Sequence, residues 1–96
     1  MEVLPLDLSN VQACLELDQI ALNGIWSKKQ WEKELFDSNR LCFGISRSTK
    51  LVAVACGWLV LDELHLTVVA VHPNYRRLGL GHMVLSELLE QASLNG

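Results

Sequence analysis

The segment Val68-Val69-Ala70-Val71-His72-Pro73-Asn74-Tyr75-Arg76-Arg77-Leu78-Gly79-Leu80-Gly81-His82-Met83 constrains the fold of this chain most tightly. Its opening β-branched run has strand character. His72-Pro73-Asn74 then supplies turn residues. A basic loop with two spaced glycines follows. Directly after it, Leu80, Val84 and Leu88, flanked by Met83, Leu85, Leu89 and Ala92, recur at helical spacing. A strand that passes through a short loop into an amphipathic helix is an α/β building block, and it needs a sheet to pack on.

The loop also has chemistry of its own. The first turn of a helix presents N–H groups without intrahelical partners and a partial positive charge, so an anion docks there readily. Gly79 and Gly81 remove side chains that would hold a phosphate off the backbone. Arg76 and Arg77 add charge-assisted donors, and His82 can add another when protonated. The segment is not a P-loop, because no G-x-x-x-x-G-K-[ST] is present. Nor is it a dinucleotide fingerprint, because the third glycine is lacking and the loop lies late in the chain. Two glycines alone fit an ordinary strand-to-helix turn with solvated arginines equally well. The strand before the loop and the helix after it favour a pyrophosphate cradle.

Upstream, Met1 to Leu6 reads as a short strand. Ser9 is the expected N-cap of a first helix over Asn10 to Leu22, stopped by Asn23-Gly24. Ser27-Lys28-Lys29-Gln30 matches a capping box and predicts a second helix from Lys28 to about Asp37, with Trp26 and Trp31 at the positions of a hydrophobic staple. Both tryptophans are read as staple and core. The loop from Asn23 to Ser27 is kept as a rim for an acceptor groove. Leu41, Phe43 and Ile45 alternate as a strand does, Ser48-Thr49-Lys50 is a turn, and Leu51 to Leu61 is a long apolar strand covered on both faces. Leu64 to Val71 is expected to place Leu64, Leu66 and Val68 on one face and His65, Thr67 and Val69 on the other. Asn95-Gly96 reads as the C-cap of the last helix. The order β-α-α-β-β-β-α gives a mixed α/β (α+β) fold in one domain, residues 1–96.

Composition narrows the function. With 50% hydrophobic and 20% charged residues among 96, the chain can build a core and is not a disordered segment. A net charge of −3 argues against non-specific nucleic-acid binding, while the local Arg76-Arg77 pair suits a small polyanion. Cys14, Cys42 and Cys56 have no metal-binding spacing and read as buried free thiols in a reducing cytosol; no metal is expected. Met1 to Leu8 lacks a basic n-region, and Leu51 to Leu61 falls short of the roughly 20 residues that span a bilayer. A soluble cytoplasmic protein without a membrane partner is expected.

Arg76-Arg77-Leu78-Gly79-Leu80-Gly81 fits the [Q/R]-x-x-G-x-[G/A] signature of the GNAT acetyltransferase superfamily, and Val69-Ala70-Val71-His72-Pro73 precedes it as a strand does there. The chain resembles most the RimI type, the ribosomal-protein alanine N-acetyltransferases. The residues that carry this are Leu61-Asp62-Glu63, Ala70-Val71-His72-Pro73-Asn74-Tyr75 and Trp26-Ser27. The resemblance is strong from Leu59 to Glu90 and weaker before that.

The resemblance implies acetyl-CoA as co-substrate. Val69, Ala70 and Val71 would offer backbone groups to the pantetheine arm. Arg76, Arg77, Leu78, Gly79, Leu80, Gly81 and His82 would hold the pyrophosphate, although the family often has Arg or Lys where this chain has His82. A backbone N–H near Val69 to Val71 would polarise the thioester oxygen. The acceptor would be a primary amine, most naturally a protein N-terminus. The family continues past this helix with a strand, a helix and a hairpin, so the chain reads as C-terminally truncated. The general base and acid are expected beyond Gly96. Tyr75 is not given the acid role. Glu63, His65 and His72 are weighed as turn and strand residues ahead of substrate contacts. Two alternatives stay open: a CoA-binding or dimerisation module without turnover, and an acetyltransferase for small amines. In the module reading, a homodimer would cover the open edge of the Leu64–Val71 strand.

Overall fold

Positive backbone φ angles mark the places where the chain reverses. Asn23 (φ 61°) and Gly24 (φ 72°) end the first helix, Ser48 (φ 59°) turns one hairpin and Leu61 (φ 57°) the next. These angles were read from a computed structural model of the protein, which describes residues 2–95. Between the turns run a short strand β1 (Leu4–Pro5), helices α1 (Val11–Leu22) and α2 (Lys28–Phe36), strands β2 (Arg40–Arg47), β3 (Lys50–Val60) and β4 (Glu63–Val71), and helix α3 (Leu80–Asn95). The sheet has the order β1-β2-β3-β4, and each neighbouring pair is antiparallel. The element order and the mixed α/β class are those expected from the sequence. Of the expected C-cap, Asn95 is the last residue of α3, whereas Gly96, like Met1 at the start of the expected first strand, lies outside the described residues.

Helices cover both faces of the sheet. On one, Val11, Cys14 and Leu17 of α1 and Trp31 and Leu35 of α2 pack on Cys42, Val54, Cys56, Val68 and Ala70. On the other, Leu80, Val84 and Leu88 of α3 pack on Phe43, Ile45, Val52, Ala53 and Ala55. β3 is therefore buried on both sides from Leu51 to Gly57, which explains its continuous apolar run.

Two local expectations need correction. The cap at the start of the first helical segment is Asp7, not Ser9. Asp7 accepts the Ser9 N–H at 2.9 Å and the Ser9 hydroxyl, forming a capping box with Asn10 around a 3-10 turn (Leu8–Asn10) that leads into α1. In β4 the simple alternation fails. Cys56 pairs with Val68 and Gly57 with Leu66, so Thr67 has no counterpart on β3. This β-bulge reverses the side-chain parity. Leu64 joins the α3 face, while Val68 and Ala70 face α1 and α2.

Candidate functional site

The bulge also decides which backbone groups of β4 point away from the sheet. The His72 N–H donates to the Val52 carbonyl at 2.8 Å, so His72 turns its backbone toward β3. Antiparallel alternation gives Ala70 and Val68 the same direction and sends the N–H and C=O of Val69 and Val71 to the open edge. Arg76 Nε donates to the outward Val71 carbonyl at 3.3 Å, which ties the start of the glycine loop to that edge.

The loop is built from unusual backbone. Arg77 (φ 68°) and Gly79 (φ 78°) both adopt left-handed conformations on either side of Leu78. Left-handed residues alternating with ordinary ones curl successive N–H groups into an anion-binding concavity. The Met83 N–H, donating to the Gly79 carbonyl at 3.0 Å, makes the first hydrogen bond of α3. The preceding N–H groups, of Leu80, Gly81 and His82, have no carbonyl a turn earlier to bond. A Cβ placed on Gly79 would meet no atom within 4 Å, so the space in front of the loop is open. A Cβ on Gly81 would come 3.3 Å from Val71 Cγ2, so Gly81 lets the helix approach the strand. Leu80 buries its side chain in the α3 core, Leu78 is exposed, and His82 lies exposed on α3 within 3.4 Å of Ser86 Oγ.

The remaining candidates fall elsewhere. Glu63 and His65 sit at the opposite end of β4, about 25 Å along the strand from the loop, and pair with each other at 3.5 Å on an exposed surface. His72 accepts the Asn74 N–H on Nδ1 at 3.1 Å and meets the Tyr75 ring edge-on, with centroids 5.3 Å apart. Both residues are committed to shaping the turn.

On the opposite side of β4, the α1–α2 loop is held by residues that carry no motif. Buried Asp18 accepts the Ile25 N–H at 2.9 Å, the Trp26 N–H at 3.1 Å and the Trp31 Nε1–H at 2.9 Å. Trp26 meets Trp31 edge-on with centroids 4.7 Å apart, the expected staple. Trp26 also lines a pocket with Gln30, Lys33, Glu34 and Arg40, which places the Asn23–Ser27 loop at a groove rim. At the base of this pocket Glu34 takes a hydrogen bond from Arg40 Nη1 and another from the Thr67 hydroxyl at 2.6 Å. The Arg40 guanidinium stacks over Trp58, 4.8 Å from the ring centroid. Burial pulls the Arg40 pKa down, but the hydrogen bond and charge of Glu34, with Asp37, outweigh it and leave the group above its ordinary value. No short-range pattern in the sequence announces Asp18, Glu34, Arg40 or Thr67.

The three thiols are free and buried. Desolvation, with the neighbouring Cys42 and Asp18, pushes Cys14 up to about 12. A hydrogen bond with Cys42, then burial, raises Cys56 as well. Such thiols are poor nucleophiles. Ligand atoms of Glu34, Cys42 and Cys56 lie within 4.8 Å of one another. Both Glu34 oxygens are already engaged, and the adjacent guanidinium opposes a cation. No helix among the described residues is long and apolar enough to cross a membrane.

With this geometry in place, comparison with known proteins is informative. The chain is 33% identical over 95 residues to the ribosomal protein bS18-alanine N-acetyltransferase of Escherichia coli strain K12, a match covering 95% of this chain and 61% of the relative. The crystal structure of the ribosomal-protein-S18-alanine N-acetyltransferase from Escherichia coli superimposes with a TM-score of 0.88 at 29% identity, over 99% of this chain and 61% of that one. A Thermoplasma acidophilum PaiA N-acetyltransferase, solved with coenzyme A, shares the fold at a TM-score of 0.76 and 16% identity, over 99% of this chain and 73% of that one. The chain thus spans about three-fifths (61%) of the bS18-alanine N-acetyltransferase it matches. The acetyltransferase (GNAT) family model matches residues 11–96, and the chain belongs to that family.

Proposed function

We propose that these residues supply the acetyl-CoA site of an N-acetyltransferase that acts on a primary amine, with the N-terminal α-amine of a ribosomal protein as acceptor. One observation carries the reading. A left-handed, glycine-opened loop at the start of the 16-residue helix α3 adjoins the outward peptide groups of Val69 and Val71. The first element suits a diphosphate, the second an amide-bearing arm laid along a strand edge.

In this reading the N–H groups of Leu78, Gly79, Leu80, Gly81 and His82 bind the pyrophosphate. Arg76 and Arg77 add positive charge. Val69 and Val71 pair with the pantetheine arm, while Ala70 between them is buried in the core on the α1 and α2 face. When bound, acetyl-CoA supplies an activated thioester acyl group. An edge N–H from Val69 to Val71 is the donor assigned to the thioester oxygen. No general acid or base is assigned within residues 1–96, which count as one unit of the enzyme; both are expected beyond Gly96. The acceptor class rests on the names of the relatives and is in keeping with the net charge of −3. A cytoplasmic location follows from the same acceptor.

Among the described residues β4 is the last strand of the sheet, and that position favours one other reading, a module that binds CoA or a second copy of itself without turnover. Acetyl-CoA at 100 times its Kd would stabilise the chain by about 2.7 kcal/mol. That should raise Tm by roughly 10–20 °C. The absence of a shift contradicts both cofactor readings. Acetyl transfer to a peptide with a free N-terminal alanine separates the enzyme from the module. Transfer to small amines alone would reassign the acceptor.

A further inference from the structure

We propose that Glu34 is a positioning residue that sets the backbone register of the β4 edge through Thr67. The bulge at Thr67 is what turns the peptide groups of Val69 and Val71 outward. With regular pairing at Thr67, the outward groups would be those of Val68 and Ala70. Thr67 is the residue without a register partner on β3, so regular pairing does not fix its place. Its hydroxyl instead donates to Glu34 Oε2 at 2.6 Å. The Glu34 side chain is 2% exposed. Its other oxygen is fixed by Arg40 Nη1, and Arg40 is held in turn against Trp58.

The clamp spans three elements. Glu34 belongs to α2 and lines the pocket with Trp26, Gln30, Lys33 and Arg40; Arg40 opens β2; Thr67 is the bulge of β4. A carboxylate with both oxygens engaged and little access to water has few alternative partners, so it fixes Thr67 in one place. The groove side of the sheet is thereby linked to the edge assigned above to the pantetheine arm. Only the consequence for ligand binding rests on the acetyl-CoA reading; the control of register does not.

The test uses the 96-residue chain and three variants, Thr67→Val, Thr67→Ser and Glu34→Gln, followed by backbone NMR without ligand and by calorimetric titration. Without ligand, Thr67→Val should move the amide resonances of Val68 to Val71 and weaken the cross-strand contact between Cys56 and Val68, and Thr67→Ser should restore both. In titrations, Thr67→Val should bind CoA about tenfold more weakly, the loss expected for one hydrogen bond to a charged group. Its affinity for 3′-phospho-ADP, which lacks the arm and meets the loop alone, should not change. Glu34→Gln should follow Thr67→Val if it folds; the Thr67 pair decides the matter if it does not. Lowered stability with unmoved Val68 to Val71 resonances would make Glu34 a plain buried ion pair and overturn the proposal. An equal loss for CoA and 3′-phospho-ADP would overturn the link to the arm. If the unmodified chain binds no CoA, the functional reading fails, and the ligand-free register still decides the role of Glu34.

Discussion

Single residues with distant partners set the shape of both sides of the site. The Asp18 carboxylate, 1% exposed, collects three N–H donors and so fixes the path from α1 into α2. Replacing it by Asn would place an NH2 group among donors. Asp18→Asn should lower stability by about 3 kcal/mol, as the loss of a buried charged acceptor does. Urea unfolding should show a lower midpoint at constant m-value; an unchanged midpoint would contradict the role. The two loop glycines should behave differently. Gly79→Ala adds strain at φ 78° and puts a methyl into the open space where the anion would lie, so CoA affinity should fall at least about tenfold. Gly81→Ala only tightens a contact with Val71 Cγ2, and the roughly 1 kcal/mol gain in helix propensity offsets it. It should keep its affinity in the same titration. The strand-to-helix loop from Arg76 to Gly81 was legible because its pattern lies within six adjacent positions. Glu34 was not, because Thr67 is 33 residues away and only folding brings them together.

Among the elements, those with local signals matched their expectations closely. The Ser27 hydroxyl accepts the Gln30 N–H at 3.2 Å, and the Gln30 side chain accepts the Ser27 N–H at 2.8 Å, as the capping box required. Ser27→Ala should cost about 1 kcal/mol, read as a lower Tm; a change of a few tenths or less would mean that α2 is held by Trp31 packing alone. The cap of the first helical segment was misplaced by two residues because Asp7 competes with Ser9 and wins with a full negative charge on the Ser9 N–H. β4 was recognised as a strand, yet its faces were read wrongly. A bulge is a relation between two strands, and Leu64 to Val71 alone contains nothing that forces Thr67 out of register. The same extra residue determines which peptide groups the strand offers at its edge.

At the scale of the molecule, the sheet is sealed on one face by α1 and α2, on the other by α3, and left open along β4. The layers were legible from periodicity, and among the described residues β4 stands at the end of the strand order β1-β2-β3-β4. The buried thiols add a global property. Unfolded, Cys14 loses its proton near pH 9.0, whereas folded it keeps it up to about 12. The folded state therefore binds more protons in that window, and stability should fall as pH rises through it. Cys56, raised in the same direction, adds to the decline. Cys14→Ala should make the fall shallower by about one proton's worth of slope; an unchanged slope between pH 9.0 and about 12 would contradict the burial argument. The central claim is that the Arg76–His82 loop and the β4 edge together form a CoA site. Its most direct test is an NMR titration of the isotope-labelled chain with CoA. The account predicts saturable shifts at the amides of Leu78, Gly79, Leu80, Gly81 and His82, accompanied by shifts at Val69 and Val71. Saturation with shifts confined to other residues, or no shifts at millimolar CoA, would contradict it.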